Sequence, residues 1–147
     1  MIRRRLRRLA GDRSGASAVE FALVLGPLIF LILGAMEYGR LLWTKQALQE
    51  AAIAGARCMG VLATGCASGG AYSSSNATTY IQGVASGFSL TVPSANVTLN
   101  RAASCAGVSG FSSVSISYTF QAAVPVLLGL ASSAMPLTAT ACFPNNS

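Results

Sequence analysis

Residues 21–36 of the chain, FALVLGPLIFLILGAM, carry no charge, and no other feature restricts the fold as much. Extending the run back to Ala16 gives 21 residues whose single charge is Glu20. At a rise of about 1.5 Å per residue they form a helix about 30 Å long, the thickness of a bilayer's hydrocarbon core. A chain of 147 residues has room for one modest domain and too little else to cover such a helix in water. Six arginines (3, 4, 5, 7, 8 and 13) against Asp12 give the first fifteen residues a net charge of +5. After the run, Glu37, Arg40 and Lys45 nearly cancel. This asymmetry predicts a single-pass membrane protein with the N-terminus in the cytoplasm and the C-terminus outside. A cleaved secretory signal is the rival reading, but residues 33–37 (LGAME) offer no A-x-A site and the helical pattern continues beyond them.

The rest of the charge is as uneven. All four acids (Asp12, Glu20, Glu37, Glu50) and nine of the ten bases precede Cys58, leaving Arg101 as the only charged side chain after it. The net +6 therefore belongs to a short arm and not to a folded basic face, which argues against nucleic-acid binding. With no histidine and every acid in the arm or the helix, no acid–base pair or triad is visible, so no enzyme and no cofactor is expected. The four cysteines lack the paired spacing of a zinc site and predict two disulfides in an oxidising compartment, with no metal. Two glycosylation-type sequons, Asn76-Ala77-Thr78 and Asn96-Val97-Thr98, are read as coincidental.

Glu20 needs explaining, because a carboxylate inside a membrane segment costs about 2.5–3.5 kcal/mol unless it has a partner or snorkels to the interface. Its surroundings, Arg13-Ser14-Gly15-Ala16-Ser17-Ala18-Val19-Glu20-Phe21, resemble the processing site of a type IV prepilin of the Tad (Flp) subclass. Phe21 and the stretches Glu37-Tyr38-Gly39-Arg40 and Ala54-Gly55-Ala56-Arg57 resemble its TadE-like pseudopilins in particular. The resemblance implies that a prepilin peptidase cuts after Gly15, making Ala16 the new N-terminus, Glu20 the fifth residue and Phe21 the sixth. The new α-amine, on this chain or a neighbour, is then a counter-charge for Glu20 in a medium of low dielectric. It further implies a place in the bacterial inner membrane or in the extracellular pilus. The implied partners are the peptidase, other pilins or pseudopilins, the Tad assembly platform and membrane lipid.

Beyond the apolar run the helical pattern persists. Leu41, Leu48, Gly55 and Leu62 recur at intervals of seven, which predicts one helix over 16–62, with a kink or local unwinding at Gly26-Pro27. Ala47, Ala51, Gly55 and Ala56 permit close approach, either of another subunit or of this chain's own module. Residues 65–75 read as a loop and 78–85 as a short helix; 96–101, 113–121 and 137–143 read as strands. Residues 113–121 (SVSISYTFQ) alternate strictly, with Val114, Ile116, Tyr118 and Phe120 on one face. The apolar segment 122–131 is too short and too Pro-interrupted for a second span, and reads as a core crossover or as a loop meeting a partner or the membrane surface.

The expected architecture is α+β, a long helix carrying a small antiparallel sheet. Its parts are a leader (1–15), a transmembrane helix (16–36), its extracytoplasmic continuation (37–64) and a disulfide-stapled module (65–147). Cys58–Cys66 and Cys105–Cys142 are the expected bonds, against Cys58–Cys105 with Cys66–Cys142 and Cys58–Cys142 with Cys66–Cys105. Functionally, a processed pseudopilin competes with an uncleaved bitopic protein bearing a periplasmic scaffolding or adhesive domain, and with a conventionally secreted soluble protein.

Overall fold

The computed structural model describes residues 15–124, 129 and 133–146. Helix α1, Ala16–Gly60, runs unbroken through Pro27. The expected unwinding at Gly26-Pro27 does not occur: a proline removes one backbone donor, and the hydrogen bonds on either side hold the helix together. The apolar part of α1 is long enough to cross a membrane, and among the described residues none covers its most apolar window. Phe21, Leu23, Phe30 and Leu31 are all exposed. This is the arrangement of a single-pass membrane protein.

The helix stops two residues before the apolar periodicity ends. Leu62 adopts φ 51°, and its N–H donates to the Met59 carbonyl while the Ala63 N–H donates to that of Cys58. This is a Schellman closure, built without the glycine that would have announced it. The Cys58–Cys66 disulfide spans the turn. Strands β1 (Ala67–Ser68) and β2 (Ala71–Tyr72) then pair antiparallel. Gly69 and Gly70 connect them, both at positive φ (59° and 82°), the geometry that two-residue hairpins require. The expected loop over 65–75 is thus partly a small hairpin. Helix α2, Ser74–Gly87, starts four residues before the expected helix because Ser73, in extended conformation, accepts from the Asn76 N–H. Ala77, Ile81 and Ala85, four residues apart, form its buried stripe.

After a short 3₁₀ turn, Ser94–Asn96, the chain forms β3 (Val97–Cys105), β4 (Val108–Gln121) and β5 (Ala134–Pro144). They make one antiparallel sheet in the order β3-β4-β5, so the fold is α+β. The alternation read in 113–121 holds: Val114, Ile116 and Phe120 are buried and Tyr118 is half-buried. Helix α1 packs against α2 and against β4 and β5. The core combines Leu48 and Met59 of α1, Ile81 of α2, and Val114, Ile116 and Phe120 of the sheet, with alanines between them. Ala47, Ala51, Gly55 and Ala56 are all buried inside this core, so at the level of the module they seat its own elements. A methyl group on Gly55 would lie 2.5 Å from Ile81 Cγ1, which shows how closely the two helices approach.

The second disulfide joins Cys105 on β3 to Cys142 on β5, and thereby the two outer strands of the sheet. Loop-closure entropy over separations of 8 and 37 residues corresponds to about 2.5 and about 4 kcal/mol. Of the apolar segment 122–131, residues 125–128, 130 and 131 lie outside the described residues. Its base is closed by the Ala122 N–H donating to the Ser133 carbonyl at 2.7 Å.

Candidate functional site

The four residues of the expected processing motif sit at the start of α1. Gly15 is the N-cap, with φ −89° and ψ −7°, and provides no side-chain cap. A Cβ there would meet nothing within 4 Å. Ala16 is the first helical residue, and no acid lies in the first turn. Among the described residues no side chain caps the leading N–H groups of α1, which form the positive end of the helix dipole. Glu20 and Phe21 are exposed, and among the described residues Glu20 makes no ion pair. Glu20 lies one turn beyond Ala16, at the i,i+4 spacing that places both on one face.

A second cluster lies where α1 leaves the apolar run. Glu37, the first charged residue after it, is only 5% exposed. Its Oε2 accepts from Arg40 at 2.9 Å and its Oε1 accepts from the Ala123 N–H at 2.8 Å. Arg40 also donates to the Gln121 carbonyl at 3.3 Å, and its guanidinium lies 5.3 Å from the Phe120 ring centroid. Two side chains one turn apart on α1 therefore grip the end of β4 and the start of the β4–β5 connection. The sequence reading quoted Glu37 and Arg40 without a role for them. The available signal was an acid and a base three apart, directly after an apolar run.

At the far end of the module Asn145 ties three segments together. Its Nδ2 donates to the Arg101 carbonyl at 2.7 Å, its Oδ1 accepts from the buried Ser112 hydroxyl at 2.6 Å, and its N–H donates to the Gly110 carbonyl. The Arg101 guanidinium lies 5.7 Å from the Tyr72 ring centroid. Burial pushes the Tyr72 phenol above its ordinary value, and the Arg101 charge pulls it back in part.

Residues 15–57 match the family described as TadE-like protein. The likeness is confined to the helical arm, 43 of the 147 residues. The match opens on Gly15 and closes at Arg57, one residue before the first cysteine, so it covers the membrane segment and most of the stalk but none of the sheet. Over that segment the chain is similar to TadE-like proteins. No curated protein and no solved structure matches the chain.

The matched segment holds the expected processing motif and the Glu37–Arg40 cluster at the two ends of its apolar run, twenty-two residues apart from Gly15 to Glu37. Nothing in the fold brings these groups together. Among the described residues no group of three or more His, Cys, Asp or Glu could hold a metal ion, and all four cysteines are in disulfides. What the described side chains build is a way of fixing a module on a membrane helix.

Proposed function

We propose that this chain is a TadE-like pseudopilin, cut after Gly15 by a prepilin peptidase and used as a minor subunit or assembly factor of a Tad pilus, without catalytic activity of its own. The observation that carries the reading is the Gly15–Ala16 bond. It lies at the uncapped, exposed start of a membrane helix, one turn before Glu20 and directly after an arginine-rich arm. Cleavage there removes the +5 arm and creates an α-ammonium at the positive end of the helix dipole, where a cation is disfavoured. Glu20, one turn on and on the same face, offsets that cost within the chain or across to a neighbouring subunit.

In this reading residues 1–15 are the leader, 16–36 the span, 37–64 the stalk and 65–147 the module outside the cytoplasm. The arm supports a cytoplasmic N-terminus at the inner membrane. Two disulfides support an oxidising compartment for the module. The partners are the peptidase, other pilins or pseudopilins and the inner-membrane assembly platform.

The test is N-terminal sequencing of the membrane-extracted protein made with and without the peptidase, alongside Gly15→Val. The wild type should begin at Ala16 and the variant should keep its arm. An intact N-terminus in the wild type with the peptidase present replaces this reading with the uncleaved scaffold, and a start near Glu37 replaces it with a secreted protein.

A further inference from the structure

The junction between α1 and the module also contains a groove that the pseudopilin reading does not use. A cavity of about 640 Å³ opens between α1, the end of α2 and the end of β4, with Gly39, Arg40, Trp43, Phe88, Tyr118 and Phe120 in its lining. Trp43 is 61% exposed, although alanines one and two turns along the same helix are fully covered. Its ring meets Phe88 edge-on, centroids 6.1 Å apart. The chain thus places its only tryptophan on a rim that its own core leaves open.

The height of this rim identifies what covers it. Met36 ends the apolar run, and along the helix Gly39 lies about 4.5 Å and Trp43 about 10 Å beyond it. The headgroup layer on each side of a bilayer is about 5–8 Å thick. The groove therefore begins inside that layer and extends a few ångströms past its outer edge. Tyr38, also exposed, lies at the same level. Tryptophan and tyrosine concentrate at this depth because an amphipathic ring satisfies both an apolar and a hydrated neighbour. The β4–β5 connection starts at the same height, held by Glu37 through the Ala123 N–H, and residues 122–131 carry no charge.

We propose that this groove is a phospholipid site: Arg40, lower on α1 than Trp43, faces the phosphate of a lipid in the leaflet from which α1 emerges, and Trp43, with Phe88 and Tyr118 beside it, receives the headgroup beyond that phosphate. Arg40 is 54% exposed while paired with Glu37, so the rim is nearly neutral and the site recognises the phosphodiester common to phospholipids rather than an anionic headgroup. The site keeps the base of the module seated on the membrane surface. The inference rests on α1 crossing a membrane and is independent of cleavage after Gly15.

Because Trp43 is the sole tryptophan, the unmodified full chain reports on itself. The chain is reconstituted into phosphatidylcholine vesicles containing lipid spin-labelled either at the headgroup or at the middle of the acyl chain, and insertion is checked by resistance to alkaline carbonate. The expected result is blue-shifted emission, quenching about two-fold stronger from the headgroup label than from the mid-chain label, and protection from aqueous iodide. Carbonate-resistant protein whose Trp43 ignores both labels and is quenched freely by iodide overturns the site while leaving the membrane span intact. Iodide protection that rises with the protein-to-lipid ratio, without lipid quenching, also overturns it and assigns the groove to a second copy. Release by carbonate removes the span on which the inference rests.

Discussion

Replacing Glu37 tests whether two side chains of the stalk hold the module at the membrane. The Oε1 of Glu37 is the acceptor for the Ala123 N–H at 2.8 Å, and the carboxylate is almost wholly buried. A hydrogen bond from a backbone amide to a charged acceptor contributes about 1.5–3 kcal/mol. The Arg40 pair adds less than about 1 kcal/mol, because Arg40 is half exposed and its charge is screened. Glu37→Ala should therefore release the Ala123 amide by about 1.5–3 kcal/mol, an increase of about 10- to 150-fold in its hydrogen exchange. Glu37→Gln keeps an oxygen within reach and should stay within about ten-fold of wild type. The measurement is amide exchange on the full chain in lipid nanodiscs, comparing Ala123 with Ile116, which is deep in the core and should not change. Unchanged exchange at Ala123 in Glu37→Ala, or equal loss in both variants, would refute the assignment of the carboxylate as the anchor.

Three further outcomes are expected. Gly55→Ala gains about 1 kcal/mol of helix propensity but places a methyl group 2.5 Å from the buried Ile81 side chain. The net result should be a loss of about 0–2 kcal/mol in thermal unfolding, partly restored by adding Ile81→Val, whereas Gly83→Ala, with nothing near its Cβ, should stabilise by about 1 kcal/mol. Asn145→Ala leaves the buried Ser112 hydroxyl and the Arg101 carbonyl without their partners and should cost about 2–3 kcal/mol by denaturant unfolding. Glu20→Ala should be cleaved and inserted normally but fail to support piliation, since insertion becomes easier while the new amine loses its partner; normal piliation would assign Glu20 to snorkelling at the interface.

How much of this was legible in the sequence follows the range of the interactions. The membrane helix and β4 were readable because their signals are periodic and continuous: an uncharged run after six arginines, and Val114, Ile116, Tyr118 and Phe120 at alternate positions. The helix end was misplaced because Leu62 takes the left-handed position that glycine usually marks. The start of α2 was missed because a Ser/Thr-rich stretch reads as loop, while one of those serines, Ser73, is the cap that starts the helix. The β1–β2 hairpin is two residues per strand, too short for any alternation to show. Of the candidate site, Gly15, Ala16, Glu20 and Phe21 lie within seven consecutive residues, a range that a sequence motif can span. Glu37 finds its partner 86 residues away and Asn145 finds partners 33 and 44 residues away. Such pairs exist only once the topology is fixed.

The small-residue face of α1 bears on how copies of such a chain could associate. Close approach through Ala47, Ala51, Gly55 and Ala56 is already used by α2 and β4, so that face is closed to another subunit at the level of the module. The stalk face left open carries Leu42, Gln46, Ile53 and Arg57, with Lys45 and Glu50 beside them. On that face Leu42 and Ile53, each about half exposed, contribute at most about 1–2 kcal/mol each on burial, while the more exposed Tyr38 and Trp43 lie at the membrane end of the stalk. From Ser17 to Met36, by contrast, no residue of α1 is buried by the other described residues, and the run includes Ala18, Ala22, Gly26 and Gly34, residues small enough for close helix contact. If the chain associates with other subunits as proposed, the membrane segment is the face best suited to it. There Glu20, paired with the new amine of a neighbour, would supply register, with the stalk and module adding orientation.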